Sequence, residues 1–193
     1  MEIGVKFKEI EFKFDAQDVS MNKFVELVET FKIDKKMLVS SYDDYFVDAD
    51  GNFIRYRYTD SRGELTIKRK TTDKNNNERI EVNVPTAGDS FKTIEAFVDL
   101  LKYKHNFGIY KTCKIFWVDK VVLVYYVVYD KEMKEQRRFI EIEANEDLPW
   151  ESEQAAWAEI EKWEKVIEPL GITAKNRLKK SLFEIFRKNQ PAN

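Results

Sequence analysis

The feature that most constrains this chain is a charged residue at every second position of several strand-like segments. In the first of them, Glu9, Glu11 and Lys13 alternate with apolar residues. The pattern returns through Arg55 and Arg57, through Thr66, Lys68 and Lys70, through Arg79, Glu81 and Asn83, and through Glu141 and Glu143. Because successive side chains of a β-strand point to opposite faces of the sheet, each segment has one charged face and one apolar face.

Further along the chain, strand signals and helical signals mark the expected elements. The strand segments run roughly over residues 4–14, 38–47, 53–59, 64–71, 78–84, 109–118, 121–129 and 138–144. Short turns join several of these neighbours, which makes the joined strands antiparallel. The first two helical segments lie around residues 24–31 and 91–101, with Ser20 capping the first and either Asp89 or Ser90 the second. A third helix follows Pro149 and stops near residues 169–171, and a fourth covers roughly 174–188.

The helices indicate which way the charged faces point. An ordinary sheet with its charged face in solvent is the alternative, but the amphipathic helices need an apolar surface to cover. Eight antiparallel strands can close into a barrel, and helices packed on its apolar outside would turn the charged faces inward. The sequence therefore predicts one α+β domain over residues 1–193, a closed eight-stranded antiparallel β-barrel or tunnel with helices packed on the outside.

A barrel interior of mixed charge predicts ligands. Buried charges of both signs destabilise a fold through desolvation and repulsion unless they pair or a ligand fills the space. A polyanion would satisfy the lysines and arginines, metal cations would satisfy the carboxylates, and a triphosphate bridged by magnesium provides both. The chain as a whole has 33 basic and 35 acidic residues, a net charge of -2, which indicates no nucleic-acid or membrane partner.

The scarcity of histidine and cysteine limits which metal ion the chain could bind and which cellular compartment it suits. His105 is the only histidine, so a metal would be held mainly by carboxylates, which favours magnesium, manganese or calcium over zinc. Cys113 is the only cysteine, which rules out an internal disulfide and suits a reducing compartment. The start of the chain alternates instead of running apolar, and no apolar run is long enough for a bilayer, so we expect a cytoplasmic protein.

The motif at residues 9–13 resembles the Glu-x-Glu-x-Lys signature of the CYTH superfamily, also called the triphosphate tunnel metalloenzymes. Other parts of the pattern follow in order, from about residue 7 to 186: an arginine pair at 53–57, a lysine strand at 64–70, an acidic strand at 79–81, closing carboxylates at Asp130 and 139–143, and a terminal lysine segment at 179–184. The family includes class IV adenylyl cyclases, thiamine triphosphatases and inorganic triphosphatases. The resemblance implies an eight-stranded tunnel, divalent metal and a triphosphate substrate.

The chain departs from the family pattern at three places. Where the family has a basic pair on its sixth strand, Cys113 stands at an arginine position, with Lys111 or Lys114 compensating. A glycine-rich turn is replaced by the charged stretch 131–138, and Leu182 stands where a tyrosine is common. These differences bear on the subfamily more than on the fold.

By resemblance, the charged residues fall into three sets. One or two Mg²⁺ or Mn²⁺ ions would be held by Glu9, Glu11, Asp130, Glu141 and Glu143. Phosphate oxygens would be bound by Lys13, Arg55, Arg57, Lys68, Lys111, Lys114 and Lys180, with Lys70 joining them or lying at the tunnel mouth. Catalysis would use Glu9, Glu11, Lys13 and Glu81, and Glu81 would bind metal or orient an arginine or a water. The alternatives are salt bridges between strands for the acids and solvent-facing positions for the bases.

The resemblance implies three possible functions. The first is a metal-dependent triphosphatase, in which water attacks the terminal phosphorus of an inorganic, nucleoside or thiamine triphosphate. The second is an adenylyl cyclase, in which the ribose 3′-hydroxyl attacks the α-phosphorus and expels pyrophosphate, although no motif reveals an adenine pocket. The third, a non-catalytic binder of triphosphates or RNA 5′ ends, would gain little from so many acids. We expect a small-molecule triphosphate partner, with nucleic acid only as a 5′-triphosphate end, and a monomer or homodimer.

Overall fold

The structure is a computed structural model and describes residues 9–59, 62–70, 78–86 and 90–187. Its strands are β1 (Glu9–Asp15), β2 (Lys35–Val47), β3 (Phe53–Tyr58), β4 (Gly63–Lys70), β5 (Glu78–Thr86), β6 (Lys104–Val118), β7 (Val121–Tyr129) and β8 (Glu135–Ala144). Its helices are α1 (Met21–Val28), α2 (Phe91–Leu100), α3 (Glu153–Val166) and α4 (Leu182–Phe186), with short 3-10 turns at Glu168–Leu170 and Ala174–Asn176. The eight predicted strands are confirmed, and the first part of the predicted segment 4–14 lies outside the described residues.

The strands form an antiparallel sheet that curls into a tunnel-like barrel. Their order around it is β1-β5-β4-β3-β2-β6-β7-β8, and β1 returns to pair with both ends of that series. Five residue pairs join β1 to β8, whereas within the described residues two pairs join β1 to β5, Glu9 with Arg79 and Ile10 with Glu78. The predicted fold class is confirmed, and the term closed slightly overstates how firmly β1 and β5 complete the ring.

Three helices cover the outer surface, as the sequence predicts. Helices α1 and α3 pack with the outward apolar residues of β1, β6, β7 and β8, and α2 packs over Phe46, Ile54 and Tyr56. The hydroxyl of an N-cap serine accepts a backbone N–H at the start of each of these helices, at Ser20, Ser90 and Ser152. None of the described helices is long and apolar enough to cross a membrane.

The C-terminal part of the chain differs from the prediction. In place of one helix over 174–188, a short 3-10 turn at Ala174–Asn176 is followed by non-helical chain from Arg177 to Lys180, and Leu178 N donates a 2.7 Å hydrogen bond to the carbonyl of Lys13. Helix α4 then begins at the cap Ser181 and packs with inward-facing side chains of the barrel, not on the outside. The ring of Phe183 lies 4.5 Å from that of Phe53, which fixes this helix inside the barrel.

Candidate functional site

The inward faces of the strands surround a cavity of about 340 Å³. Its lining includes nine of the residues predicted to form the site: Glu9, Glu11, Lys13, Arg55, Arg57, Glu81, Lys111, Glu141 and Glu143. They come from β1, β3, β5, β6 and β8, and they meet because alternate residues of each strand point into the barrel. The strand alternation therefore brings most of the predicted charges together in one place.

Three carboxylates form a cluster at one part of this cavity. Oxygen atoms of Glu9, Glu11 and Glu143 all lie within 4.8 Å of one another, and Glu11 stands directly opposite Glu143 in the β1–β8 ladder. Glu11 is only 3 % exposed, whereas the other two are half-buried. Converging carboxylate oxygens are the ligands that Mg²⁺ and Mn²⁺ prefer, so the cluster fits the predicted divalent cation.

Lys13 lies beside the carboxylate cluster and is held by two acids. Its Nζ is 3.2 Å from Glu11 Oε1 and 2.8 Å from Glu141 Oε1. The hydroxyl of Tyr126 donates a 2.8 Å hydrogen bond to the same Glu141 carboxylate. Burial, together with that carboxylate, raises the pKa of Tyr126 well above its usual value, so the tyrosine stays a donor. Glu141 thus positions Lys13 at the edge of the cluster.

Arg55 faces the cavity with one donor that the described residues leave unused. Its Nη2 donates to Thr66 Oγ1 at 2.8 Å and lies 3.7 Å from Glu81. Its Nε is buried and has no hydrogen-bond acceptor among the residues that the structure describes. A buried N–H without an acceptor is costly, so this position suits an oxygen of an anionic ligand. Of the roles left open for Glu81, the geometry fits the one of orienting an arginine.

An unpredicted carboxylate, Asp43 of β2, lies between two of the predicted phosphate-binding residues. Its side chain is fully buried and accepts hydrogen bonds from Arg57 Nε at 2.8 Å and Arg57 Nη2 at 2.9 Å. Lys111 Nζ is 3.3 Å from its second oxygen. Burial raises the pKa of Asp43, but Arg57 and Lys111 outweigh it and hold that pKa well below its usual range. The signal in the sequence that could have identified Asp43 is the alternation of β2, because residues two apart, such as Asp43 and Tyr45, point to the same face of the strand.

One side of the cavity is apolar. The strands β6 and β7 contribute Cys113, Ile115, Trp117, Val122 and Val124, which we call the apolar wall. Toward the other end of the β2–β6 ladder from Trp117, Tyr45, Phe53 and Phe183 form a separate aromatic cluster on the same lining. Burial raises the pKa of the Cys113 thiol, and the protonated form is a poor nucleophile.

The structure does not bring every predicted residue to the cavity. Asp130 lies in the turn between β7 and β8, where its carboxylate accepts the backbone N–H of Glu132 and of Lys134. Lys114 points to the outer side of β6, over the ring of Phe116, and Lys180 is exposed just before α4. Between the two alternatives for β6, the cavity contains Lys111 and not Lys114.

Two further lysines can be placed by their backbone alone. In the β4–β5 ladder, Lys68 stands opposite Glu81 and Lys70 stands opposite Arg79. The side chains of both lysines lie outside the described part of the structure, so their predicted contacts to phosphate remain predictions.

Several solved structures have a fold similar to that of this chain. A conserved hypothetical protein from Pyrococcus furiosus is 24% identical with a TM-score of 0.72, over 92% of this chain and 99% of that one. A "putative adenylate cyclase" from Vibrio parahaemolyticus is 12% identical with a TM-score of 0.63, over 93% and 97%. A chain of the Schizosaccharomyces pombe Mediator head module is 10% identical with a TM-score of 0.60, over 84% and 95%.

Structural similarity at such low sequence identities shows a shared fold and not a shared reaction. No family model matches the chain, and no curated protein matches it. The fold that the resemblance implies, an eight-stranded antiparallel tunnel-like barrel, is shared with these solved structures.

Proposed function

We propose that this chain is a divalent-metal-dependent enzyme that hydrolyses a triphosphate inside the barrel. The observation that carries the proposal is the placement of the Glu9, Glu11 and Glu143 cluster beside Lys13 in one cavity. On the same lining, the Nε of Arg55 has no acceptor among the residues that the structure describes. Carboxylates that can hold a metal and cations that can hold phosphate oxygens are the two things that phosphoryl transfer needs. The tunnel fold shared with a "putative adenylate cyclase" agrees with triphosphate chemistry.

The charge of the cavity supports a metal requirement. Its described lining contains four basic side chains, Lys13, Arg55, Arg57 and Lys111, and eight acidic ones, Glu9, Glu11, Glu64, Glu81, Glu141, Glu143, Glu146 and Asp147. A polyanion alone would meet repulsion in such a cavity, whereas a complex of triphosphate with divalent cations would not. Among the described lining residues, the acids therefore favour a metal-bridged triphosphate over a free polyanion as the ligand.

Each side chain has a role that follows from its contacts. A divalent cation held by Glu9, Glu11 and Glu143 would neutralise phosphate charge and lower the pKa of a bound water. Lys13, oriented by Glu141, and Arg55, oriented by Glu81, would hold phosphate oxygens. In the reaction itself, the oxygen of water bonds to the terminal phosphorus, and the bond from that phosphorus to the leaving diphosphate breaks. No protein nucleophile is needed.

A second candidate is an adenylyl cyclase, which the aromatic cluster of the cavity lining favours. Tyr45, Phe53 and Phe183 offer contiguous aromatic rings on the same cavity as the charged cluster. Such a surface suits an organic group attached to the triphosphate, such as a nucleobase. The ribose 3′-hydroxyl would then replace water as the attacking group, and pyrophosphate would leave.

The test is a product analysis with a panel of triphosphates. The protein is incubated with Mg²⁺ or Mn²⁺ and with inorganic triphosphate, ATP, GTP or thiamine triphosphate, and the products are separated by chromatography. We expect orthophosphate and the diphosphate product; cyclic AMP with pyrophosphate would select the cyclase, and binding without any product would refute both reactions.

A matched pair of variants assigns the reaction to the cavity. Glu11→Gln removes one charge of the carboxylate cluster and should lower metal-dependent turnover at least about 100-fold. Glu161→Gln makes the same chemical change on an exposed position of α3 and should leave turnover unchanged. Circular dichroism checks that both variants fold. Full activity of a folded Glu11→Gln protein would place the chemistry elsewhere.

A further inference from the structure

Three side chains on the inner surface of the barrel, Asp43, Arg57 and Lys111, contact one another, and their contacts bear on which substrates the barrel binds. Asp43 belongs to β2, where it stands directly opposite Arg57 of β3. Lys111 of β6, opposite Ser41, reaches the same carboxylate from the other side of β2. The three side chains form what we call the Asp43 triad, which contains two cations and one anion and lies against the inner surface of the barrel.

The triad uses the donors through which an arginine usually binds phosphate. Arg57 gives Nε and Nη2 to the two oxygens of Asp43, which is the bidentate arrangement that an arginine makes with a carboxylate or a phosphate. Asp43 is 0 % exposed, and its second oxygen also has Lys111 at 3.3 Å. A phosphate group could take these donors only by displacing a fully buried carboxylate, which would then be left without its partner.

Arg55, two residues away on the same strand, is arranged differently. Its contacts to Glu64 and Glu81 are longer, 3.4 Å and 3.7 Å, and its buried Nε has no acceptor among the described residues. Of the two arginines, Arg55 can therefore accept an anion without losing a bidentate partner. Burial lowers the pKa of Lys111, and the positive charge of Arg57 lowers it further, whereas the negative charge of Asp43 raises it.

We propose that Asp43 is a built-in counter-anion that occupies the Nε and Nη2 donors of Arg57 and so keeps phosphate groups away from them. This inference rests on the proposed function, because it concerns which triphosphates the same cavity accepts. The phosphates would be confined to Lys13, Arg55 and the metal, and the apolar wall beside Lys111 would receive the organic part of the substrate. The substrate class is accordingly an organic triphosphate, and inorganic triphosphate or longer polyphosphates are disfavoured.

The test compares the affinity for inorganic polyphosphates in two variants of β2. Asp43→Asn keeps the shape of the side chain but releases two cations, so the Kd for inorganic triphosphate should fall about ten-fold or more, as expected for one charged hydrogen-bonding group. The decrease should be larger for tetraphosphate than for pyrophosphate. Asp44→Asn is the matched control, because Asp44 is also buried but pairs with His105 outside the barrel. Its Kd values should equal those of the wild type in isothermal titration calorimetry.

A measurement on the wild-type protein covers the case in which Asp43→Asn does not fold. The Nε–H signals of arginine can be followed by NMR while inorganic triphosphate is added with Mg²⁺. The signal of Arg55 should shift, and the signal of Arg57 should stay in place because Asp43 continues to occupy it. Equal shifts for both arginines would overturn the proposal.

The outcomes separate this inference from the proposed function. If the wild type processes triphosphates but Asp43→Asn binds them no more tightly, the counter-anion is wrong and the enzyme stands. If Asp43→Asn gains affinity for polyphosphate while neither protein turns over any triphosphate, the counter-anion stands and the enzyme is wrong. If neither protein binds polyphosphate under any condition, the counter-anion is wrong, and the enzyme stands or falls by its turnover of organic triphosphates.

Discussion

Replacing Glu143 by Gln should change the stability of the barrel in opposite directions with and without metal. Oxygens of Glu143, Glu9 and Glu11 lie within 4.8 Å of one another, and charges at that distance repel by about 1 kcal/mol in water and about 3 kcal/mol at an effective dielectric constant of 20. Glu143 is half-buried and Lys13 offsets part of the charge of Glu11, so we expect a net relief of about 1–2 kcal/mol. For a chain of this size that corresponds to a Tm rise of about 2–8 °C in the presence of a chelator.

Manganese should reverse the order of the two melting temperatures, that of the wild type and that of Glu143→Gln. A ligand at a hundred times its Kd stabilises the folded state by about 2.7 kcal/mol, and the variant has lost one of the three carboxylates that would bind it. The wild type should therefore gain Tm on addition of saturating Mn²⁺, whereas Glu143→Gln should gain little and become the less stable of the two. Scanning calorimetry in chelator and in Mn²⁺ measures both effects, with Glu161→Gln as the control for the chemical change. A Glu143→Gln protein that melts below the wild type in chelator, or that gains as much from Mn²⁺, would refute the electrostatic reasoning.

Two further predictions concern the packing and the acid stability of the barrel interior. Phe183→Ala should cost about 3–5 kcal/mol in urea denaturation, because the ring is 4 % exposed and stacks 4.5 Å from Phe53; Leu100→Ala, at an 84 % exposed position of α2, should cost under about 0.5 kcal/mol. A loss below about 1 kcal/mol for Phe183→Ala would contradict the placement of α4 inside the barrel. Asp43, whose folded pKa lies below the ordinary value of 3.8, contributes stability that is fully present above that value and is lost as the pH falls through and below it. The free energy of unfolding of the wild type should therefore fall by about 1.4 kcal/mol more per pH unit below this point than that of Asp43→Asn, and equal slopes would contradict the depressed pKa.

The strand core of the fold could be predicted from the sequence because alternation is a local property. Every predicted strand exists, but β2 and β6 are longer than predicted, at Lys35–Val47 and Lys104–Val118. Their added residues, 35–37 and 104–108, are mostly polar and do not alternate. They are strands because they pair with each other, Lys35 with Trp117 and Val47 with Lys104, and partners so far apart along the chain leave no local signal.

The candidate site was predictable where the residues lie within strands and less so where they lie at the ends. Asp130 follows the last residue of β7, and its carboxylate binds the backbone of its own turn instead of pointing into the barrel. The terminal segment pairs with β1 through Arg177 before α4 begins, so that Lys180 is exposed. Asp43 was the reverse case, a buried inward residue whose importance depends on Arg57 standing across the ladder from it. Such a pairing depends on the β2–β3 register and cannot be deduced from one strand.

The strand β7 bears on the kind of substrate that the cavity accepts. If the whole interior were charged, its inward positions would alternate with apolar outward ones, as they do in β1. Instead Val122, Val124, Tyr126 and Val128 point inward and are all buried, so the run from Val121 to Tyr129 is apolar on both faces. The neighbouring strand β8 carries carboxylates, because Val122 of β7 pairs with Glu143 of β8. The interior thus changes from charged to apolar across neighbouring strands. Inorganic triphosphate would leave the apolar wall without a partner, whereas a triphosphate with an organic group would contact both sides, and the Asp43 triad lies on the side where the organic group would be.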